Sequence, residues 1–114
     1  MRYMLLIYDN ETQFAGLPEN EVTQVMQEYK KFTSALQEAG AYIGGNRLRP
    51  VDTAKSVRVR HGEALWTDGP FAETKEQLAG YYMIEAKDLR EAQQWAAKIP
   101  SARFGTIEVR ALWE

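Results

Sequence analysis

The alternation of hydrophobic and polar positions predicts two long helices among several short strands. Residues 3–8 are apolar throughout, which is typical of a strand that is buried on both faces or covered by a helix. Apolar side chains recur at helical spacing through residues 22–36 and again through residues 89–99. These two segments are predicted to be amphipathic helices. Residues 9–17 are polar and contain a glycine, and they are predicted to form a loop.

Residues at both ends of the predicted helices are typical of helix termini. Pro18 suits the first turn of the first helix, and Gly40 follows it where a left-handed C-terminal cap would lie. Asp88 is followed three residues later by Glu91, which is the pattern of a capping box. Pro100 then ends the second helix. Both helices are therefore predicted with defined limits.

The remaining apolar segments predict strands. Gly44-Gly45 interrupts one of them, so that strand is expected to be bent or bulged. Valine and arginine alternate just before His61-Gly62, and an apolar run follows, which predicts a hairpin with its turn at these two residues. The predicted strands are residues 3–8, 41–49, 56–60, 64–67, 78–86 and 106–113.

The order of these elements predicts an α+β fold of the ferredoxin-like type, with two helices on one face of a mainly antiparallel sheet. The 114 residues fit a single domain, residues 1–114. The second face of such a sheet has no helix on it, and aromatic residues on or beside the strands favour an apolar surface there. Face-to-face dimerisation would bury that surface and enclose a cavity between the two sheets. These aromatic residues are Tyr3, Tyr8, Trp66, Tyr81, Tyr82 and Trp113.

Composition and charge exclude several functional classes. Without cysteine, the chain can form no disulfide and no thiolate nucleophile, and a single histidine makes a zinc site improbable. The formal net charge of -2 gives no general attraction to nucleic acid. The N-terminal apolar run is too short for a signal peptide or a membrane span, so a cytoplasmic protein that does not enter membranes is expected. Gly44-Gly45 lacks the lysine and the following helix of a phosphate loop, and no cofactor is expected.

The histidine and the basic side chains can each be interpreted as functional residues or as ordinary surface residues. His61 at a hairpin tip would lack the pocket and the partner that a general base needs, so an exposed turn residue is expected. A local basic cluster could bind phosphates, or it could be the solvated side of an edge hairpin. No aromatic stacking motif accompanies this cluster, so nucleic-acid binding is not expected. Its members are Arg47, Arg49, Lys55, Arg58 and Arg60.

The most distinctive segment is TDGPFAETKEQLAGYY, residues 67–82. Its Asp-Gly-Pro turn is rigid, because glycine and proline restrict the turn geometry. There are two interpretations of this turn. In the first it is a stiff connector, and Phe71 packs into the core or into a dimer interface. In the second it is the wall of a ligand pocket. In the second case Asp68 is a base or an anchor, and Lys75 is a partner for an anion. The density of charge at residues 73–76 favours a ligand or partner role for the loop as a whole.

Two arginines and two tyrosines are further candidates for a ligand site. Arg47 and Arg110 could bind a carboxylate in bidentate fashion if they point into the cavity beside the sheet, or a nearby acid could simply neutralise them. Tyr81 and Tyr82 are consecutive in a strand, so one faces the helices and the other faces the uncovered side. The tyrosine on the uncovered side is a candidate pocket hydroxyl, whereas core packing is the alternative role for either one.

The 67–82 segment, together with RYMLLIY, SVRVRHGEALW and ARFGTIEVR, resembles the YCII-related family of DGPF-motif proteins over nearly the whole chain. The resemblance implies a small bacterial protein with a ferredoxin-like fold, generally paired as a dimeric α+β barrel. It also implies genes that often lie beside those for extracytoplasmic-function sigma factors. It implies no established reaction.

Some members of the wider family have a proposed histidine–aspartate active-site pair, and this chain departs from that pattern. Its first predicted helix contains no histidine, and the end of its second predicted helix reads AAKIPSA, without an acid. Phe104 stands where DGPF-type members often have a histidine. The resemblance therefore strengthens the prediction of the fold and weakens the prediction of an enzyme.

Taken together, these features predict a homodimeric small-molecule-binding protein, or an enzyme acting on a small polar or aromatic metabolite. The alternative is a non-catalytic regulatory or interaction module associated with an extracytoplasmic-function sigma factor. The candidate catalytic residue is Asp68. The candidate ligand-binding residues are Arg47, Phe71, Lys75, Tyr81, Tyr82 and Arg110.

Overall fold

A computed structural model describes all 114 residues as one sheet with its helices and a separate hairpin. Two short 3-10 turns, Val51–Thr53 and Pro100–Arg103, precede the third and the last strand. The main elements are β1 (Arg2–Asp9), α1 (Glu11–Ala15), α2 (Glu19–Glu38), β2 (Tyr42–Arg47), β3 (Lys55–Arg60), β4 (Glu63–Asp68), β5 (Gln77–Glu85), α3 (Leu89–Ala97) and β6 (Thr106–Ala111).

Four strands form an open sheet in the order β2-β5-β1-β6, and every neighbouring pair is antiparallel. On one face of this sheet, α2 and α3 cover the residues of β1 that alternate as Tyr3, Leu5 and Ile7, all of which are buried. Phe32 of α2 packs edge-on against Tyr82 of β5, with 5.1 Å between the ring centroids. The predicted ferredoxin-like α+β fold is therefore confirmed. Within one chain the sheet does not close into a barrel.

The predicted helix ends and the irregular strand are confirmed. Gly40 has a φ of 70°, in the left-handed region that favours glycine after a helix. The Asp88 carboxylate accepts a hydrogen bond of 2.9 Å from the Glu91 backbone N–H, which caps α3. The pairing of β2 with β5 shifts its register between Tyr42 and Gly44. None of the helices has the length and apolar character needed to cross a bilayer.

The prediction that residues 9–17 form only a loop is wrong. Residues Glu11–Ala15 form the short helix α1. Asn10 precedes it, and its side-chain oxygen accepts a hydrogen bond of 3.1 Å from the Gln13 backbone N–H. A helix of five residues is not stable by itself in water. The Asn10 cap and tertiary contacts together stabilise this single helical turn.

Strands β3 and β4 form a hairpin that extends away from the sheet, and residues 55–68 are called the hairpin arm below. The two turn residues, His61 and Gly62, have φ values of 53° and 78°, as in the two-residue turns that match the twist of a hairpin. The Cα radius of gyration is 16.1 Å. A compact domain of this length would have a value of about 13 Å, so the arm projects from the body.

Candidate functional site

A cavity of about 810 Å³ lies between α2 and the helix-covered face of the sheet. Helix α1 and the residues that follow β2 close its other sides. The aromatic side chains in its walls include Phe14, Tyr29, Tyr42 and Tyr82. Its volume falls in the range of pockets that hold small organic molecules, which is roughly 300–1,000 Å³. The fold therefore contains a pocket within a single chain.

Asp9 is the buried acidic group of this cavity. It is the last residue of β1 and continues the alternation that buries Tyr3, Leu5 and Ile7, so its side chain faces the helices with only 8% exposure. Its carboxylate forms no hydrogen bond within the chain. No fully buried side-chain oxygen or nitrogen in the protein lacks a partner. The carboxylate oxygens of Asp9 are therefore open to the cavity that they line.

Burial raises the pKa of Asp9 above its ordinary value, because the charged carboxylate loses solvation. The nearby Glu11 carboxylate raises the pKa further, Arg47 acts in the opposite direction, and Glu76 adds a smaller increase. A carboxyl group whose pKa is raised by burial and which faces a cavity is a candidate general acid or base.

A close approach of two backbone segments holds Asp9 in position. Gly105, just before β6, lies against the end of β1. A Cβ atom at Gly105 would lie 2.2 Å from the Tyr8 carbonyl oxygen and 3.1 Å from Cβ of Asp9. Only glycine fits this contact without a backbone shift, so Gly105 supports the position of the Asp9 side chain.

Two tyrosine hydroxyls in the cavity wall are paired with aliphatic hydroxyls. The Tyr29 hydroxyl lies 2.5 Å from Oγ of Ser101, and the Tyr82 hydroxyl lies 2.8 Å from Oγ1 of Thr33. Burial raises the pKa of both phenols, and their hydrogen bonds to Ser101 and Thr33 oppose this only in part. Both tyrosines therefore keep their protons at neutral pH and can serve as hydrogen-bond donors.

The mouth of the cavity is basic. Arg47 and Arg49 line it, and neither forms an ion pair within the chain. The Arg47 guanidinium lies 5.8 Å from the centre of the Phe14 ring, which favours one orientation of the cation. The Glu11 carboxylate accepts a hydrogen bond of 3.0 Å from the Val51 backbone N–H, so it joins α1 to the far rim. The chain has no cluster of three or more side chains arranged as metal ligands.

Three of the predicted ligand-binding residues line this cavity, namely Arg47, Tyr81 and Tyr82. Tyr82 faces the helices. Tyr81 borders the cavity from within β5, but its side chain belongs to the opposite face of the sheet, where its hydroxyl accepts a hydrogen bond of 3.0 Å from the Asn46 amide. The cavity lies under the helices, on the other side of the sheet from the cleft expected between two subunits.

The other predicted site residues lie away from the cavity. Asp68, the candidate catalytic residue, is exposed at the end of the hairpin arm, and its carboxylate lies 2.6 Å from Nζ of Lys55. Phe71 is 81% exposed, and Lys75 and Arg110 are also on the surface. None of these four residues lines the cavity.

Asp9, Glu11 and Tyr29 line the cavity but were not among the candidate site residues predicted from the sequence. Asp9 was available from the period of two in β1, because that period places a polar residue on the covered face. Tyr29 belongs to the apolar stripe of α2, and nothing in the stripe separates a pocket residue from a core residue.

A small α+β protein with an open antiparallel sheet and a pocket beneath its long helix is the class that the fold and the site define. The model of the YCII-related domain family matches residues 1–114, and the chain belongs to this family. The chain is also 37% identical over 114 residues to a protein of Rhizobium meliloti (strain 1021) that is described as uncharacterized. That alignment covers 98% of this chain and 92% of the relative.

Proposed function

We propose that the protein binds a small molecule in the cavity beneath α2 and exchanges a proton with it through Asp9. The observation that carries this proposal is the Asp9 carboxylate, which is buried, has no partner in the chain and is open to the cavity. A carboxylate that is buried without a hydrogen-bond partner lowers the stability of the folded protein. A ligand group that hydrogen-bonds to this carboxylate would offset that loss.

The chemistry of the site is that of a general base with hydrogen-bond donors nearby. The ionised Asp9 takes a proton from an acidic O–H or C–H of the ligand and becomes a neutral carboxylic acid. It then returns the proton to another ligand atom. Tyr29 and Tyr82 can each donate a hydrogen bond to a ligand oxygen while accepting one from Ser101 or Thr33. Two such donors would stabilise negative charge on that oxygen.

The test measures proton exchange in D₂O by ¹H NMR with a mixture of small ketones, phenols and keto acids. Wild-type protein is expected to exchange a ligand C–H for deuterium. Asp9→Asn should slow this exchange by about a hundredfold or more. Asp68→Asn is the matched control, because Asp68 is the rival carboxylate proposed from the sequence. Exchange that survives Asp9→Asn and disappears in Asp68→Asn would assign the proton chemistry to the Asp-Gly-Pro turn.

A homodimer is part of this proposal. The uncovered face of the sheet has an apolar centre formed by Met4, Leu6, Tyr8, Tyr81 and Met83. A second copy of the chain would bury this face, as the family resemblance implies. Native mass spectrometry of freshly purified protein would report the number of subunits and any retained ligand in one spectrum. A monomer at micromolar concentration would remove the dimer from the proposal.

A second candidate function is a non-catalytic interaction module, with an extracytoplasmic-function sigma factor as the partner. The exposed aromatic residues favour it, since Trp66 is 75% exposed and Phe71 is 81% exposed. Residues of this kind are typical of interaction surfaces. Co-purification of a sigma factor with wild-type protein, lost on Trp66→Ser, would support this function. Its absence from both preparations would count against it.

A further inference from the structure

The residues across the floor of the cavity define a narrow strip of the sheet. Arg47, Gly80 and Ile7 are paired side by side on β2, β5 and β1. They face the helices, because Ile7 is on the covered face of β1 and its neighbours in register share that face. Asp9 follows Ile7 on the same face. The strip therefore has an arginine at one edge and a carboxylate near the other.

Gly80 leaves the centre of this strip without a side chain. A Cβ atom there would lie 2.8 Å from the Asn46 carbonyl oxygen, so the position excludes even alanine without a backbone shift. Neighbouring strands are about 4.8 Å apart, which places the backbones of β2 and β1 about 10 Å from each other across β5. A flat group of the size of one aromatic ring fits over Gly80 between them.

The two ends of the strip are complementary to different groups. Arg47 and Arg49 provide two cations without an ion-pair partner at the mouth. Deeper in the cavity, Asp9 provides a hydrogen-bond acceptor that has no partner within the chain. Although Arg47 and Asp9 line the same cavity, they do not form an ion pair with each other. The gap between them is therefore open to a ligand.

We propose that the cavity takes a flat organic carboxylate that carries a hydroxyl group, with the carboxylate on Arg47 and Arg49, the ring over Gly80 and the hydroxyl on Asp9. The inference rests on the proposed function and names its ligand class. A guanidinium binds a carboxylate through two parallel hydrogen bonds, which gives direction as well as affinity. A doubly charged phosphate fits less well, because Glu11 and Asp9 add negative charge to the same cavity.

The walls also favour a flat ligand. Tyr42 and Tyr82 line the cavity and pack edge to face, with ring centroids 6.4 Å apart. Rings of this kind offer both faces and edges to an aromatic guest. A flexible aliphatic chain would gain less from these contacts and would lose more conformational entropy on binding.

The experiment compares 4-hydroxybenzoate with its neutral analogue 4-hydroxybenzamide by isothermal titration calorimetry. Wild-type protein is expected to bind the acid roughly tenfold more tightly than the amide, the usual size of one charge-assisted hydrogen-bonded pair. The double variant Arg47→Gln with Arg49→Gln should remove this preference. Arg110→Gln, which changes an arginine outside the cavity, should retain it. Circular dichroism melts of each variant show whether it is folded.

The outcomes separate this inference from the proposed function. Equal affinity of wild-type protein for the acid and the amide would overturn the anion anchor while leaving small-molecule binding in place. A preference that persists in the double variant would assign the anion to a cation other than Arg47 and Arg49 and would also overturn the proposal. If neither probe binds, the ligand class is wrong, whereas the role of Asp9 is decided separately by deuterium exchange in the ketone and keto-acid mixture.

Discussion

The Tyr29 hydroxyl and the Ser101 hydroxyl lie 2.5 Å apart and join the middle of α2 to the turn that precedes β6. Ser101 is only 2% exposed, so its hydroxyl has no ready access to water. The pair links two segments that are 72 residues apart in the chain, and both residues line the cavity. This hydrogen bond therefore contributes to stability and to the shape of the pocket together.

Removing the Tyr29 hydroxyl should leave Ser101 unsatisfied. Tyr29→Phe is expected to lower the free energy of unfolding by about 1–3 kcal/mol, the cost of a buried polar group without its partner. The double variant Tyr29→Phe with Ser101→Ala should recover most of this loss, since both polar groups are then absent. Urea denaturation measures both changes. Tyr81→Phe is the control, because its partner Asn46 is exposed. Equal losses in the two tyrosine variants would contradict the prediction.

Gly105 should be intolerant of any side chain. Its Cβ atom would lie 2.2 Å from the Tyr8 carbonyl oxygen, so Gly105→Ala must shift backbone next to Asp9. We expect a loss of about 3 kcal/mol, at the upper end of the cost of overpacking. Gly44→Ala is the matched control, because nothing lies within 4 Å of its added Cβ atom. Equal melting temperatures for the two alanine variants would contradict this prediction, since they would show that the backbone before β6 shifts at little cost in stability.

Asp9 should make the protein less stable as the pH rises. Its pKa is higher in the folded chain than in the unfolded chain, so the folded state holds more protons between the two values. The free energy of unfolding therefore falls as the pH increases through that window. At neutral pH, Asp9→Asn should be more stable than the wild type by about 1 kcal/mol, or about 4 °C in Tm. The difference should shrink toward pH 3.

Thermal melts of the two proteins across the pH range check this prediction. Two other carboxyl groups titrate in the opposite sense. Hydrogen bonds from Arg103 and Arg2 lower the pKa values of Glu28 and Glu114, so their contributions to stability are lost as the pH falls. Both groups are present in both proteins, and the difference between the two curves isolates Asp9. Parallel curves would show that the Asp9 carboxyl titrates alike in the folded and unfolded chains.

The hairpin arm should carry part of the proposed homodimer contact. Val57 pairs with Trp66 across the arm, which places both on one face together with Val59, and all three are at least half exposed. An isolated two-stranded hairpin with an apolar face is only marginally stable in water. We expect Trp66→Ser to weaken the dimer by roughly tenfold or more. Arg58→Ser, on the opposite face, should leave it unchanged. Sedimentation velocity over a concentration series measures both, and identical profiles would exclude the arm from the contact.

Local signals were sufficient to predict most of the fold. The helical spacing of α2, the Asp88 cap of α3 and the two-residue turn of the arm are encoded in residues close together in the chain. α1 was missed because its formation depends on one capping residue, Asn10, and on tertiary contacts. A five-residue helix carries too little periodicity to be recognised.

The residues that line the cavity were harder to predict from the sequence, because a cavity forms where the folded chain leaves space without side chains. Gly80 opens its floor, yet a glycine in a strand is also read as a simple irregularity. Asp68 was proposed because the rigid Asp-Gly-Pro turn was expected to hold its carboxylate beside a cavity, whereas that carboxylate is exposed and bonded to Lys55. Asp9 was predicted to begin the loop of residues 9–17, whereas it is the last residue of β1. Its role depends on the burial of its neighbours, and burial is a property of the folded chain.

The place of β1 in the sheet has a consequence for biosynthesis. This strand precedes the other strands of the sheet, yet both of its neighbours, β5 and β6, lie about 70 to 100 residues further along the chain. A nascent chain leaving the ribosome therefore carries the apolar residues of β1 without their partner strands until β5 and β6 have been synthesised. Pairings so distant in sequence also slow folding. The protein is thus expected to depend more on chaperones during translation than a helical protein of equal size.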